Sequence, residues 1–494
     1  MNLRKMNPGK RSFAAVLGLL IVATACTAGD SDPTMAATNA VSAEPTGAEG
    51  TRASTESADS PEPPSLLSGQ VLEFGQAPTV PSGDLAPELI ASLDILFGDE
   101  LSDGLFLGDE LTALQTLQSS GDPRVAWLIS DLMRFINSPQ SAGLLGSAAE
   151  ELLGIPLNPV SAWGEMTSHL MAWDIPEPTD YLKYKRILFT LVSEDWTPFF
   201  EDGADVDYRM WSWGGVRIDN RPYDQTDEPC NCIPAADNPK TTDAAGGDWY
   251  NDNRFVFGVE INGEARAYPR SIMEIREMVN DTLGGRDIAM PYCTLCGSAQ
   301  VFFTDNLPEG VERPIFRTSG LLNRSNKIMY DLNTSSVFDT FLGTALTGPL
   351  AEIGLELEQA GVVTTTWGEW KELHPNTTIL AEELALGRDS DLLHTRDAAG
   401  PIFPIGDVDP RLPVQEPVLG VIAESGMPVA FQVHSARSVL TQGGSIQVEN
   451  IILRLAGGGV KAVDADGNDL GGHQAFWFAW SQFYPDTALW EPDN

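Results

Sequence analysis

The stretch that decides both fold and chemistry is IAMPYCTLCGSAQVFF, residues 288–303. It places two cysteines, Cys293 and Cys296, between two short apolar runs, and Gly297 directly follows the second cysteine. Short apolar runs bounded by turn residues are typical of strands. The sequence therefore predicts that the Cys-x-x-Cys pair lies on a strand–loop–strand corner and not at the start of a long helix.

A hairpin signal lies upstream of this corner. The runs Phe255–Ile261 and Glu264–Tyr268 flank Asn262-Gly263, and an Asn-Gly pair between two apolar runs is a strong sign of a β-hairpin. Short runs of this kind, separated by Gly, Asn and Asp, continue through the rest of the chain. We therefore predict a β-rich domain over residues 211–494.

Helical periodicity dominates the chain before residue 211. Apolar residues between Val125 and Ile136 recur at spacings of three and four, which is the spacing of one helix face. Asp122-Pro123 opens this segment as an N-cap followed by Pro at the first helical position. The sequence predicts a helical domain over residues 81–210, and together with the β-rich domain this gives an α+β fold class.

The β-rich domain carries a weak internal repeat. Residues 367–377 and 477–487 share two Trp residues, a Pro and a Thr at the same spacing. We predict two related halves, residues 233–385 and 415–490, each closed by a Trp-bearing amphipathic helix that stops at Pro. Only the first half carries the Cys-x-x-Cys pair, so the second is predicted to be a degenerate copy.

The N-terminus has the layout of an export signal. Basic residues precede an apolar stretch, Phe13–Ala23, which is too short to span a membrane. The following Cys26 completes a sequence that resembles a bacterial lipoprotein box, so we predict a lipoprotein-type signal peptide over residues 1–26 with lipidation of Cys26. An ordinary secretory signal cleaved near Ala25 is the alternative. A disordered Ser/Thr/Ala/Glu/Pro tether is predicted over residues 27–80, and the expected location is the extracytoplasmic face of the cell membrane, contacted through the lipid anchor only.

The composition is strongly acidic, with 70 Asp and Glu residues against 30 Lys and Arg residues and a formal net charge of −40. Such a chain repels nucleic-acid phosphates, so no nucleic-acid partner is expected. The motifs of serine hydrolases, P-loop proteins and dinucleotide-binding enzymes are also absent from the sequence. The composition therefore identifies no partner, and this charge is typical of a solvated surface.

Three kinds of chemistry are open to the four cysteines after Cys26, which form two close pairs, Cys230/Cys232 and Cys293/Cys296. In a redox pair, one thiolate attacks a substrate disulfide and the second cysteine resolves the mixed intermediate. We favour this chemistry, with Cys293 as nucleophile, Cys296 as resolving thiol and no cofactor. A tetrahedral site for zinc or another thiophilic metal, made by all four cysteines, is one alternative. One or two structural disulfides are the other.

Several motifs occur together in an order that resembles one bacterial protein family. From about Ile233 to Trp490 the chain is similar to the family of unknown function DUF3179, through segments 233–239, 258–269, 279–281, 292–297, 319–321 and 367–377. The resemblance carries no assigned biochemical activity. Some relatives are selenoproteins with selenocysteine at the cysteine motif, which implies redox chemistry at Cys293 or Cys296.

One position departs from the family pattern. Relatives typically have Trp-His before the Glu that precedes the Val-Asn-Asp segment, whereas this chain has Ile275-Arg276 before Glu277. If that His tunes the thiol or binds a metal, this protein is altered at that position, and Arg276 can still stabilise a thiolate by its charge. We therefore expect an exported protein with thiol–disulfide redox activity. The alternative is a non-catalytic envelope binding or scaffold protein whose cysteines form structural disulfides or a metal site.

Overall fold

A computed structural model of the protein describes residues 73–98, 101, 104–136, 138–225, 230–382 and 400–492. All of these residues belong to one compact unit. Within them, no helix combines the length and the apolar character needed to cross a membrane. The predicted signal peptide, Cys26 and most of the predicted tether lie outside the described residues.

The first part of the described chain is helical. Asp122 caps a short 3₁₀ turn, since its carboxylate accepts a hydrogen bond from the backbone N–H of Arg124 at 3.1 Å, and this turn leads into the third helix as predicted. The α-helices of this part, in chain order, are α1 (Pro87–Leu96), α2 (Gly108–Gln118), α3 (Ala126–Phe135), α4 (Pro139–Leu153), α5 (Ala162–Ala172) and α6 (Tyr181–Val192).

The rest of the described chain is β-rich, with short helices between strands. The strands are β1 (Trp211–Trp213), β2 (Ala236–Asp237), β3 (Thr241–Asp243), β4 (Phe255–Ile261), β5 (Glu264–Pro269), β6 (Met278–Leu283), β7 (Arg286–Cys293), β8 (Ser298–Ala299), β9 (Val301–Phe303), β10 (Phe316–Asn323), β11 (Asn326–Asp331), β12 (Val337–Asp339), β13 (Ala345–Thr347), β14 (Gln359–Ala360), β15 (Val363–Thr366), β16 (Thr378–Leu380), β17 (Pro417–Ile422), β18 (Pro428–Gln432), β19 (Gln447–Val448), β20 (Ile451–Ala456), β21 (Gly459–Val463), β22 (His473–Phe476) and β23 (Ala488–Trp490). The helices are α7 (Arg270–Arg276), α8 (Pro349–Glu352), α9 (Trp367–Leu373), α10 (Val433–Thr441) and α11 (Trp477–Phe483).

The described strands form five sheets. Their strand orders are β1-β10-β11-β12-β13, β14-β9-β7-β6-β2, β15-β4-β5-β16-β3, β22-β17-β18-β23 and β19-β20-β21, with β8 paired to β7. Helices that precede a β-rich region agree with the predicted α+β class.

Strand β7 of the second sheet ends at the cysteine corner and contacts β11 of the first sheet, so the candidate site lies where these two sheets meet.

The helices and the first sheet share a hydrophobic core. Side chains of α1–α6 pack in one cluster with Trp211 and Trp213 of β1, Leu321 of β10, and Ile328 and Tyr330 of β11. Burying this many aromatic and aliphatic side chains removes a large apolar area from water. The helical region and the first sheet therefore stabilise each other.

Two of the five sheets share a topology. In each of these sheets, a β-hairpin leads into a helix. Later in the chain come a further strand of the sheet, a Trp-bearing helix and a last strand, which pairs in parallel with the second strand of the hairpin. The glycines at equivalent hairpin positions, Gly258 and Gly420, lie against the rings of Trp370 and Trp480. The prediction of two repeated halves is nevertheless not confirmed, because the described β-rich region consists of five sheets and this likeness concerns only two of them.

Local predictions around the cysteines differ in their outcome. The Asn262-Gly263 hairpin is confirmed, with β4 and β5 on either side of it. The sequence of residues 272–279 indicates one short helix, but α7 ends at Arg276. Glu277 adopts a left-handed φ of 49°, and the chain then pairs as β6 with β7. A residue in the left-handed region ends a helix.

Candidate functional site

The cysteine pair occupies a tight corner between two antiparallel strands. Strand β7 ends at Cys293, β8 begins at Ser298, and these two residues are directly opposite each other. Gly297 has a left-handed φ of 61°, which glycine adopts without steric cost. The predicted strand–loop–strand corner is confirmed.

Both thiols are buried and converge on one backbone carbonyl. Cys293 is 2% exposed and Cys296 is 0% exposed. The oxygen of Ser325, in the turn between β10 and β11, lies 3.8 Å from Cys293 Sγ and 3.5 Å from Cys296 Sγ. Both cysteines are free thiols, and the corner brings them together as the sequence predicted.

The two thiols have opposite pKa shifts. Burial and the negative charge of Glu277 act to raise the pKa of Cys293, but hydrogen bonding from the Cys296 thiol and from the backbone N–H groups of Lys327 and Cys296 outweighs both, so that the pKa is lowered. Burial raises the pKa of Cys296, and its hydrogen bond to Cys293 raises it further. Cys293 is therefore the thiol of the pair that ionises more readily.

A cavity of about 220 Å³ opens onto one of the two cysteines. Cys293 lines it, together with apolar side chains such as Ile233, Leu321 and Phe403. Cys296 is not among the lining residues. The thiol with the lowered pKa therefore faces the cavity, and the thiol with the raised pKa lies behind it.

An ion pair stands beside the thiol in this cavity. The ammonium of Lys327, on β11, donates to the backbone carbonyl of Glu277 at 2.5 Å and lies 3.5 Å from the Glu277 carboxylate. The other carboxylate oxygen accepts a hydrogen bond from the Thr294 hydroxyl at 2.9 Å. Burial lowers the pKa of Lys327, while the charges of Glu277 and Cys293 act in the opposite direction. The cavity thus combines a nucleophile, a proton donor and a carboxylate.

Glu277 holds a strained backbone conformation at this point. Its φ of 49° lies in the left-handed region, which costs a residue with a side chain about 1–3 kcal/mol. The strain aims its carbonyl at both Lys327 Nζ and the backbone N–H of Tyr292, the latter at 3.0 Å. Strain of this kind is frequent at functional sites.

The second cysteine pair is placed elsewhere. Cys230 and Cys232 form a disulfide with each other. Among the described residues, the group that could hold a metal ion contains these two sulfurs and the carboxylate of Asp219, with ligand atoms within 4.8 Å of one another, and it does not contain Cys293 or Cys296. The structure therefore does not assemble the four-cysteine site considered as an alternative.

The disulfide also leaves this second group poorly suited to metal. Metal binding requires thiolates, and the bonded sulfurs of Cys230 and Cys232 offer none. The Asp219 carboxylate is already occupied by the Arg221 guanidinium at 2.7 Å and by the backbone N–H of Ala235 at 2.9 Å. In this oxidised form, the residues present do not fit a thiophilic metal.

The cation beside the thiols is not the one expected. Arg276 was the candidate for stabilising a thiolate, but its guanidinium binds Glu382 at 2.7 Å. Lys327 takes that place, and neither Lys327 nor Glu277 was predicted as a site residue. The one sequence signal for Glu277 was its position directly after the segment that departs from the family pattern.

Other residues of the quoted motifs have a structural role. Arg317 of β10 binds Asp237 of β2 through two hydrogen bonds of 2.9 and 2.6 Å, with both side chains fully buried. Asn280 of β6 donates to the same carboxylate at 2.8 Å and to the carbonyl of Phe316 at 3.0 Å. These bonds connect the first and second sheets, whose junction carries the cysteine corner.

Comparison with known proteins identifies the domain that carries this site. No curated protein and no solved structure is detectably similar to the chain. Residues 230–455, which include both cysteine pairs, Glu277 and Lys327, match the model of a protein family described as "Protein of unknown function (DUF3179)". The chain is therefore a DUF3179 domain-containing protein.

Proposed function

We propose that the protein is a thiol–disulfide redox protein in which Cys293 is the nucleophile and Cys296 the resolving thiol. The observation that carries this proposal is the asymmetry of the pair. Cys293 lines the cavity and has a lowered pKa, whereas Cys296 does not line the cavity and has a raised pKa. Low-pKa thiolates with access to a substrate are the reactive cysteines of proteins.

The reaction follows from this arrangement. The Cys293 thiolate attacks a sulfur of the substrate, so that a bond forms between the two sulfurs while the other substrate sulfur leaves as a thiolate and takes up a proton. Cys296 then loses its proton and attacks Cys293 Sγ, which releases the second substrate thiol. The enzyme dithiol becomes a disulfide, and the substrate gains two electrons and two protons.

Trapping of the intermediate tests the assignment. Methyl methanethiosulfonate transfers a methylthio group to a thiolate, and its small size suits a cavity of about 220 Å³. In the Cys296→Ser variant we expect one methylthio group to remain on Cys293, since no thiol can displace it. In the unmodified protein we expect a Cys293–Cys296 disulfide and free methanethiol instead. Intact-mass and peptide mass spectrometry distinguish these products.

The matched control is Cys293→Ser. It keeps Cys296, which does not line the cavity, so we expect no methylthio group at residue 296. Rapid labelling of Cys296 in this control, or a stable adduct on Cys293 in the unmodified protein, would contradict the assigned roles.

A non-catalytic envelope binding or scaffold protein is the second candidate function. It is favoured by the Cys230–Cys232 disulfide, which is a structural use of cysteine in an oxidising compartment. Elemental analysis and thiol counting separate the two functions. A metal held stoichiometrically by Cys293 and Cys296 and released only on denaturation would favour the second.

Export and lipid anchoring are part of the proposal. They are supported by the basic and apolar residues before Cys26. Expression in bacteria with a clickable fatty acid tests them, since lipidation would label the protein and Cys26→Ser would abolish the label. Labelling that survives this substitution would contradict an anchor at Cys26.

We also propose that the two similar sheets are copies of one ancestral unit. In both, the indole N–H of the second Trp donates to a Thr hydroxyl seven residues on, at 2.9 Å from Trp370 to Thr377 and at 2.8 Å from Trp480 to Thr487. This likeness in detail, beyond a shared strand order, supports duplication. The second copy contacts the cysteine corner directly, since the backbone N–H of Phe476 on β22 donates to the Cys296 carbonyl at 2.8 Å.

A further inference from the structure

The geometry points to a small organic hydroperoxide as the substrate of Cys293, with the ammonium of Lys327 as the proton donor to the leaving alkoxide. This inference rests on the proposed redox function of the pair: it keeps Cys293 as the attacking thiol and Cys296 as the resolving thiol, and it replaces the substrate disulfide with a hydroperoxide. Four features of the site support it: the depth of the thiols, the size of the cavity, the space around the sulfur, and the position of the ammonium.

The depth of the thiols excludes a disulfide carried on another folded protein. Cys293 is 2% exposed and Cys296 is 0% exposed. Thiol–disulfide exchange requires the attacking sulfur to touch the substrate sulfur. A sulfur on a protein surface cannot reach a thiol at this depth, so the substrate must enter the cavity as a small molecule.

The cavity limits the size of that molecule. Its volume of about 220 Å³ is below the range of roughly 300–1,000 Å³ that is typical of pockets for drug-sized ligands. Apolar side chains such as Ile233, Leu321 and Phe403 form much of its wall, and they favour a compact apolar substituent. Two peptide-sized groups, as in glutathione disulfide, do not fit in this space.

The space around the sulfur distinguishes a peroxide from a disulfide. Attack on a disulfide needs three sulfurs in line, and the central sulfur carries an organic group that must fit beside the nucleophile. In a hydroperoxide the oxygen under attack carries only a hydrogen atom. A thiolate that lines a small cavity can therefore reach this oxygen while the organic group lies against apolar side chains such as Ile233, Leu321 and Phe403.

Lys327 is placed to assist departure of the alkoxide. An ammonium has three N–H donors, and its contacts with the carbonyl and carboxylate of Glu277 engage at most two of them. Lys327 lines the same cavity as Cys293. Because burial lowers its pKa, it gives up a proton more readily than an exposed lysine.

The reaction balances without a metal or an organic cofactor. The Cys293 thiolate attacks the terminal oxygen of ROOH, an S–O bond forms, the O–O bond breaks, and RO⁻ takes a proton from Lys327 to become ROH. Lys327 then regains a proton from solvent, which balances the proton that Cys293 released on ionising. Cys296 then attacks the sulfenic sulfur of Cys293. The S–O bond breaks, and water leaves with the Cys296 proton. Two thiols and ROOH give one disulfide, ROH and H₂O, and a dithiol reductant supplies two electrons for the next cycle.

Rates of thiol oxidation in the reduced full-length protein test the inference. We expect tert-butyl hydroperoxide to oxidise the pair about 10²-fold faster than it oxidises free cysteine at the same pH, since a positioned proton donor contributes roughly 10²–10⁴-fold. Glutathione disulfide should react more slowly with the pair than with free cysteine. In Cys296→Ser, dimedone should label a sulfenic acid on Cys293 after hydroperoxide treatment.

Lys327→Met isolates the proton transfer. The sulfinate released from methyl methanethiosulfonate needs no proton, whereas the alkoxide does. Relative to the unmodified protein, we expect the ratio of hydroperoxide rate to methylthio-transfer rate to fall about tenfold or more in this variant. An unchanged ratio would overturn the role of Lys327. Because both reactions use the Cys293 thiolate, a general loss of thiolate lowers both rates equally and leaves the ratio unchanged.

If Lys327→Met does not fold, the rates at which the hydroperoxide oxidises the unmodified protein and free cysteine decide the substrate class. Hydroperoxide oxidation no faster than that of free cysteine, with methylthio trapping on Cys293 intact, would overturn the inference and leave the redox function standing. Failure of both reactions would overturn both.

Discussion

Cys293 and Cys296 differ in environment although only two residues separate them. Cys293 faces the cavity and receives hydrogen bonds from the Cys296 thiol and from backbone N–H groups, while Cys296 is enclosed. In the proposed function, this asymmetry gives one thiol the role of attack and the other that of resolution. It also makes the hydrogen bond from Cys296 a cause of the lowered pKa of Cys293 that can be tested.

The pH dependence of Cys293 alkylation tests this hydrogen bond. The lowered pKa places the midpoint of the pH–rate profile with iodoacetamide below the ordinary pKa of a cysteine thiol. Cys296→Ala removes the donor and should shift the midpoint to higher pH, whereas Cys296→Ser keeps a hydroxyl and should shift it less. Identical midpoints in all three proteins would show that the bond does not stabilise the thiolate.

His473 is expected to make stability depend on pH. Burial lowers its pKa to about 3, below the value of about 6.5 in an unfolded chain. The unfolded state therefore binds the proton first, so stability is complete above pH 6.5 and falls as the pH decreases. The loss is about 2 kcal/mol at pH 5.

Urea unfolding at pH 7 and pH 5 measures this effect. The His473→Gln variant lacks the titrating ring, so its decrease in unfolding free energy between the two pH values should be smaller than that of the unmodified protein by about 2 kcal/mol. Equal decreases would contradict a buried neutral histidine.

The sequence could identify Cys293 and Cys296 as site residues because their spacing is itself the signal. Glu277 and Lys327 gave no such signal, since β11 brings Lys327 to the thiols only through the contact between two sheets. In the sequence, a lone Lys in an apolar strand and a Glu after a short helix do not indicate a functional site, because only the fold brings the two side chains together. Arg276, the cation nearest to Glu277 in sequence, instead pairs with Glu382.

The cysteine corner stabilises a thiolate without a helix. In helix-borne pairs, the N-terminus of the helix lowers the thiol pKa. Here the donors to Cys293 are the backbone N–H groups of Cys296, within the corner, and of Lys327, on β11, together with the Cys296 thiol. The strand–turn–strand geometry therefore replaces a helix dipole with individual hydrogen bonds.

Gly258 sets how closely α9 packs on β4. A β-carbon at this position would lie 2.4 Å from the Trp370 ring, so Gly258→Ala should lower the free energy of unfolding by about 1–3 kcal/mol through overpacking. The control is Gly143→Ala in α4, where a β-carbon meets no atom within 4 Å. It should raise stability by about 0.5–1 kcal/mol. Chemical denaturation of both variants measures this, and similar effects would refute the packing argument.

The elements were predictable where local signals agree. The Asn-Gly hairpin and the Asp122 cap act through neighbouring residues, and the structure confirms both. Division into five sheets was not predictable, because strands such as β7 and β11 are buried on both faces and show no alternation that assigns them to a sheet. The boundary of α7 depends on a left-handed Glu277, which side-chain type does not signal.

The site depends on the packing of the whole described unit. Ile328 of β11 belongs to the core shared with the helical region, and the adjacent Lys327 reaches the thiols. On the other side, the buried Arg317–Asp237 pair connects the first sheet to the second. Disruption at either place should loosen the cavity even where no residue touches it.

Loss of the Arg317–Asp237 pair tests this connection. Arg317→Met leaves the fully buried Asp237 carboxylate without its partner, which should lower the free energy of unfolding by about 3–5 kcal/mol. The control is Asp94→Asn, which removes the ion pair with Lys183, whose two side chains are about half exposed. That change should cost less than about 1 kcal/mol. Urea denaturation distinguishes them, and equal losses would contradict the role given to the buried pair.

Equilibration in dithiothreitol and 2-mercaptoethanol buffers of graded redox poise, followed by acid quenching, alkylation and peptide mapping, decides whether Cys293 and Cys296 form a redox pair. We expect a reversible two-electron transition between the dithiol and a Cys293–Cys296 disulfide, at a potential above about −300 mV, the range below which structural disulfides lie. A pair that stays reduced in the most oxidising buffer, or an oxidised bond that strong reductant cannot reverse without unfolding, would contradict the proposed function.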